Sequence, residues 1–200
     1  MLRKSIYPKI EALLTEAASF FREQGFSPNQ LTLAGLALNF VAGWIYASGH
    51  LFLGAVMLLV AAVADLLDGP LARLTGKVSK FGAFLDSTVD RYSDFFLFGG
   101  LAIYFAGQGR TVLFVVTMGI ILGAYVTSYS KARAENLIPD CSVGVFERPE
   151  RLIALAFGSI FQPLLGLVLW ILLIGTHATA IQRILHTKKS LSSPPPENQA

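Results

Sequence analysis

The sequence predicts an all-α integral membrane protein of about six transmembrane helices, preceded by an amphipathic juxtamembrane helix. Three observations carry that expectation. The 200 residues are 54% hydrophobic and only 14% charged, with a mean hydropathy of +0.58, a balance foreign to soluble domains. Several apolar runs approach the ~20 residues a helix needs to cross the hydrocarbon core. Basic residues gather between those runs at alternate ends, as the positive-inside rule requires of a polytopic chain.

Residues 1–29 form an N-terminal amphipathic cytoplasmic segment, with Ile10, Leu13, Leu14, Ala17 and Phe21 on one side of a helix. They lack a compact apolar core followed by a small-residue cleavage site, so no cleaved leader is expected. The membrane domain then runs over 30–187. Its first helix covers about 30–49 and closes near Gly49-His50, and the next three cover about 51–73, 82–107 and 111–135. The stretch from 148 to 187 is long enough for two more, divided at Gln162-Pro163, where proline removes a backbone donor. Residues 188–200 contain SLSSPPPENQA, whose polar, proline-rich composition predicts a disordered cytoplasmic tail.

Six spans return both termini to one side. Fourteen of the sixteen Lys and Arg residues then fall on that face, among them Arg22, Lys77, Lys131 and Lys188, while Arg110 lies opposite and Arg91 within the third helix. The basic face is therefore expected to be cytoplasmic, in the cell (inner) membrane. The single cysteine, Cys141, excludes an internal disulfide and a cysteine zinc site.

The chemistry is concentrated in DLLDGPLARLTGKVSKFGAFLDSTVD, residues 65–90. Asp65 and Asp68 are three apart and Asp86 and Asp90 four apart, so each pair shares a helix face. An aspartate in the middle of a membrane helix costs ~2.5–3.5 kcal/mol on insertion scales. At 1.5 Å per residue, Asp65 and Asp90 lie roughly 12 Å in from the cytoplasmic helix ends, and Asp68 and Asp86 roughly 6–8 Å in. Packed as an antiparallel pair, the two helices would bring four carboxylates together at two matched depths. A divalent cation relieves their repulsion, and hard oxygen donors suit Mg²⁺ or Mn²⁺. Gly69 and Ala72 remove side-chain bulk on the Asp65 face. Arg73 offers a planar donor fork, and Lys77, Ser79 and Lys80 surround the mouth. Carboxylate-held metal beside an arginine describes a clamp for a diphosphate.

A lone aspartate near a helix end is ordinarily solvated or capping, and a lone pair suits a cation pathway. Neither explains D-x2-D-G-x2-A-R-x8-G-x3-D-x3-D, which specifies eight positions over 26 residues. That pattern, at Asp65, Asp68, Gly69, Ala72, Arg73, Gly82, Asp86 and Asp90, resembles the signature of the CDP-alcohol phosphatidyltransferase family. The segment SPNQLT at 27–32 is similar to the family's lead into its first helix. The resemblance implies two metal ions, one on Asp65, Asp68 and Asp86 and the other on Asp65, Asp86 and Asp90. It implies CDP-lipid contacts at Asn29, Gln30, Leu31, Thr32, Gly69, Arg73 and Ser79, with Asp90 as the general base. It also implies a homodimer that takes CDP-diacylglycerol from the surrounding membrane lipid; nothing suggests a nucleic-acid partner.

The acceptor is read from 128–152, SYSKARAENLIPDCSVGVFERPERL, together with IQRILHT at 181–187. Cations there exceed what a neutral alcohol requires and suit an acceptor that carries phosphate. SY-x-KARAE, G-x-x-ERPERL and the later QR are similar to the phosphatidylinositol-phosphate synthase branch. By that resemblance Ser128, Lys131, Arg133, Arg148, Arg151 and Arg183 line a pocket for inositol 3-phosphate. A synthase using glycerol 3-phosphate is the alternative within this chemistry. A divalent-cation transporter is the alternative outside it, although a cation pathway gains nothing from Arg73 beside its carboxylates.

Overall fold

The computed structural model describes residues 2–192, with side chains from Leu13 onward. The described chain is helical, without a strand, and divides into two compact units, residues 1–100 and 101–200.

The first unit holds α1 (Leu2–Glu23), α2 (Pro28–Ala47), α3 (Leu51–Leu74) and the first part of α4 (Lys80–Gly107). Ser27 starts α2 with a capping box: its hydroxyl accepts the Gln30 N–H, and the Gln30 side chain accepts the Ser27 N–H at 2.8 Å. Pro28 follows at the first helical position, where a missing N–H costs nothing. Gly49, at φ 85°, makes the turn into α3 that residues with a Cβ avoid. α3 packs along α2 and also receives α1. At that junction Ala18, Leu31, Leu67 and Leu71 form a buried cluster, with Leu14, Ala17 and Phe21 against it.

Much of the apolar face expected of the N-terminal helix is therefore used for packing within the protein, whereas Leu13 is 67% and Phe20 59% exposed. The side chain of Ile10 lies outside the described residues. α4 meets α2 at closest approach through Gly43 and Gly100, where a Cβ on either would strike the other helix's backbone. Phe40 and Phe96 stack edge to face there, with centroids 5.2 Å apart.

The second unit holds the end of α4, then α5 (Thr111–Ala134), α6 (Arg148–Ile160), a 3-10 turn (Gln162–Leu164) and α7 (Leu165–Ser192). α7 packs on both α5 and α6. Gly123 makes room for Thr176 and His177, and Gly158 for Val168. The expected break at Gln162-Pro163 is this 3-10 turn. α7 continues through Ser192, so residues 188–192, expected in the tail, are helical: none of them is a proline that would remove a backbone donor. Residues 193–200 lie outside the described residues.

Among the described residues, four helices are long and apolar enough to cross a membrane: α2, α3, α5 and the 162–192 segment. Trp44, Leu122, Ile153 and Ile174 each turn outward, as apolar side chains facing lipid do. The chain is a membrane protein. α6 has 13 residues and is about 20 Å long, short of a full hydrocarbon core.

Candidate functional site

In the first unit, the N-terminus of α2, the C-terminal end of α3 and the start of α4 enclose a cavity of about 440 Å³. Its wall brings together Asn29, Thr32, Asp68, Gly69, Arg73, Ser79 and Asp86 from the sequence reading. Ala72, Gly82 and Lys77 line it too, joined by Pro28, Val78 and Ala83. Local chain chemistry produces this shape. Pro70 lies inside α3, so the carbonyl one turn earlier lacks its usual donor. Gly76, at φ 65°, turns the chain out of α3. The Ser79 hydroxyl then accepts the Gly82 N–H at 3.0 Å and caps the start of α4.

The carboxylates are individually positioned. Asp68 Oδ2 accepts a hydrogen bond from the Thr32 hydroxyl at 2.7 Å and stands within electrostatic reach of Asp86 and Asp65. Asp65 lies against Gly35, where a Cβ would strike its Oδ1. Asp90 forms an ion pair with Arg91 at 3.6 Å, and the Arg91 guanidinium also donates to the Ser87 carbonyl. Asp94, one turn deeper, is buried at 3% exposure.

Two of the expected lipid-binding residues face away from the cavity. Gln30 spends its side chain on the capping box, and Leu31 is turned into the apolar cluster of α1 and α3. Neither lines the cavity, because the first turn of α2 points only part of its circumference at it. Among the described residues, no three carboxylate, imidazole or thiol groups form a closed cluster. Thr32 bonds Asp68 and Arg91 pairs with Asp90, while Gly35 leaves the space that Asp65 occupies. The donor set nevertheless fits a divalent cation. It is all hard oxygen, Asp68 faces Asp65 and Asp86 electrostatically, and Gly35 keeps the side of Asp65 clear.

The second unit holds the cations expected to meet an acceptor. Arg183 is 2% exposed. Its Nε donates to the Val143 carbonyl at 2.9 Å, one Nη to the Thr127 carbonyl at 2.8 Å, and the other to the Glu147 carboxylate. Lys131 Nζ reaches the same Glu147 oxygen at 3.6 Å. Arg151, also 2% exposed, donates to the Phe146 carbonyl at 3.2 Å. Lys131, Arg183 and the 143–151 segment are thus drawn together. Ser128 and Arg148 are half-buried and Arg133 is exposed. Asp140, in the preceding loop, is held below the usual carboxylate range by the Ser142 hydroxyl and backbone N–H, and lies within electrostatic reach of Lys131 and His186.

Two contributors escaped the sequence reading. Gly35 shares a helix face with Thr32, three residues earlier, but a single glycine in an apolar helix carries no signal of what it faces. Glu147 was legible as the first of two acids interleaved with two arginines in ERPER, a sign that some of those cations have an internal partner.

Residues 26–182 match the family model for CDP-alcohol phosphatidyltransferase. The chain is 37% identical over 204 residues to a phosphatidylinositol phosphate synthase of Streptomyces avermitilis, covering 94% of this chain and 83% of that one. It is 38% identical over 192 residues to an archaetidylinositol phosphate synthase of Pyrococcus horikoshii, covering 96% and 98%. Among solved structures, it resembles Mycobacterium tuberculosis phosphatidylinositol phosphate synthase with CDP-DAG bound, at TM-score 0.83 and 32% identity, covering 94% and 98% of the two chains. A second structure of that protein, in complex with manganese and citrate, matches at TM-score 0.82 and 33% identity, covering 94% and 93%.

Proposed function

Because this chain belongs to the CDP-alcohol phosphatidyltransferase family, we propose that it transfers the phosphatidyl group of CDP-diacylglycerol to inositol 3-phosphate, releasing CMP. The observation that carries the reading is the cavity of about 440 Å³ in which Arg73, Lys77, Asp68 and Asp86 face a common space beside Gly69 and Ala72. A diphosphate is the ligand whose charge and girth those groups suit. Relatives named for phosphatidyl and archaetidyl lipids stand at nearly equal identity, 37% and 38%. Their names differ in the lipid and share inositol phosphate, which supports that acceptor over glycerol 3-phosphate.

In this mechanism Arg73 and Lys77 hold the diphosphate, Gly69 and Ala72 let it approach α3, and Asn29 and Ser79 border the nucleotide. Asp65, Asp68, Asp86 and Asp90 would hold Mg²⁺, two ions by resemblance, with Mn²⁺ as an alternative. A divalent ion there supplies charge neutralisation of the diphosphate and of the departing CMP. Asp90 takes the proton from the acceptor hydroxyl. The acceptor oxygen then bonds to the lipid-side phosphorus as that phosphorus loses its bond to CMP. Lys131, Arg148, Arg151 and Arg183, with Ser128 and Arg133, receive the acceptor phosphate.

We also assign six spans, counting α4 and the shorter α6, with both termini and the basic face cytoplasmic; the working form is a homodimer. The test is CMP release from CDP-diacylglycerol by the purified protein with Mg²⁺, each acceptor offered alone and the lipid product weighed. Release with inositol 3-phosphate, but not with free inositol, glycerol 3-phosphate or serine, is the expected result. Release only with glycerol 3-phosphate would overturn the acceptor and keep the phosphoryl chemistry. Divalent-ion flux without CMP release would replace the enzyme with a transporter.

A further inference from the structure

The cation cluster of the second unit already contains an anion. Glu147 accepts from buried Arg183 and pairs with Lys131 at 3.6 Å, two of the groups assigned above to the acceptor phosphate. From this we infer that Glu147 is an internal counter-anion of the acceptor site, one that a phosphate monoester displaces and a weaker anion or a neutral alcohol does not. The inference rests on the acceptor reading of Lys131 and Arg183.

A purely structural role would require Glu147 to hold Arg183 and its own loop in place, and other bonds already do that. Arg183 is anchored by two carbonyl oxygens, Val143 at 2.9 Å and Thr127 at 2.8 Å. The loop bearing Glu147 is tied down independently: the Phe146 N–H donates to Thr179 Oγ1 at 3.1 Å, and the Phe146 ring lies against Gly175. Removing the carboxylate leaves both anchors in place. What Glu147 adds is charge on the exposed side of the pair, since its side chain is 44% exposed against 3% for Arg183. That exposure gives it somewhere to go.

A phosphate approaching Lys131 and Arg183 meets a like charge and must move it. A dianionic monoester, accepting from both cations at once, outcompetes one carboxylate. A neutral hydroxyl does not. Glu147 thereby sets a threshold for occupancy and makes the site selective for phosphorylated acceptors.

The test uses the full chain in detergent or nanodiscs. It measures the KM for inositol 3-phosphate and the competitive inhibition of CMP release by inorganic phosphate. In Glu147→Gln, the amide still accepts from Arg183 while the charge is gone. The KM and the inhibition constant for phosphate should both fall, by about three- to fivefold for a partly exposed pair, with kcat little changed. Glu147→Asp, which draws the carboxylate back by one methylene, should move both in the same direction by less, and it serves if the amide variant folds poorly.

A rise in both constants would make Glu147 an ordinary binding or positioning group and overturn the inference, as would no change in either. Lys131→Gln separates this from the underlying reading. If Lys131→Gln raises both constants and Glu147→Gln fails to lower them, only the counter-anion role is lost. If neither variant moves them, these cations are not the acceptor site.

Discussion

At the scale of single residues, the site depends on side chains that are small as much as on those that are charged. Gly35 leaves the space that the Asp65 carboxylate occupies. Gly35→Ala should therefore push Asp65 aside. Overpacking of this kind costs about 1–3 kcal/mol, and CMP release should fall at least about tenfold while the helical circular dichroism is retained. Wild-type turnover in that variant would mean that the position of Asp65 is irrelevant. Asp90→Asn tests a different property, since the amide keeps shape and loses basicity. A general base contributes about 10²–10⁴-fold, so kcat should drop by that factor with the KM for CDP-diacylglycerol nearly constant. A parallel rise in that KM would reassign Asp90 to holding the lipid substrate.

At the scale of the helices, what matters is how closely backbones approach. Gly43 and Gly100 bring α2 and α4 into backbone contact, and Phe40 and Phe96 pack beside them. This crossing holds the two helices whose ends wall the cavity. Gly43→Val puts two methyl groups where the Phe96 carbonyl lies, and thermal unfolding should report a loss of about 1–3 kcal/mol. An unchanged midpoint would show that α2 and α4 part easily. Two helix ends were legible from chemical punctuation, Gly49-His50 after α2 and Gln162-Pro163 between α6 and α7; Ser27-Pro28, which opens α2 two residues before its expected start, and Gly76, after α3, follow the same chemistry. The use of α1 was not legible. An amphipathic face reads the same whether it meets lipid headgroups or Leu67 and Leu71.

At the scale of the whole molecule, the assignment to check is the number of crossings. Among the described residues four helices qualify by length and composition; the six-span arrangement adds α4, which carries Asp86 and Asp90, and α6. In sealed vesicles of known orientation, Gly76→Cys and Gly109→Cys should be labelled by an impermeant thiol reagent from opposite sides. Native Cys141 is fully buried and should stay silent until the protein is unfolded. Labelling of both positions from one side would mean that α4 does not cross.

The sequence by itself determined the fold class, the helix boundaries to within a few residues, the family, and the pattern of aspartates, glycine and arginine around which the cavity forms. Those properties are local or periodic: hydropathy, capping, and spacings along one helix face. Only the tertiary structure decided that Thr32 serves Asp68, that Gly35 leaves room for Asp65, that Leu31 belongs to the core, and that Glu147 pairs with both Lys131 and Arg183. Each of those pairs residues on different elements, as with Thr32 and Asp68 on α2 and α3, or Glu147 and Arg183 at the start of α6 and within α7. Such contacts depend on how the helices rotate and approach, and no spacing along one chain records that.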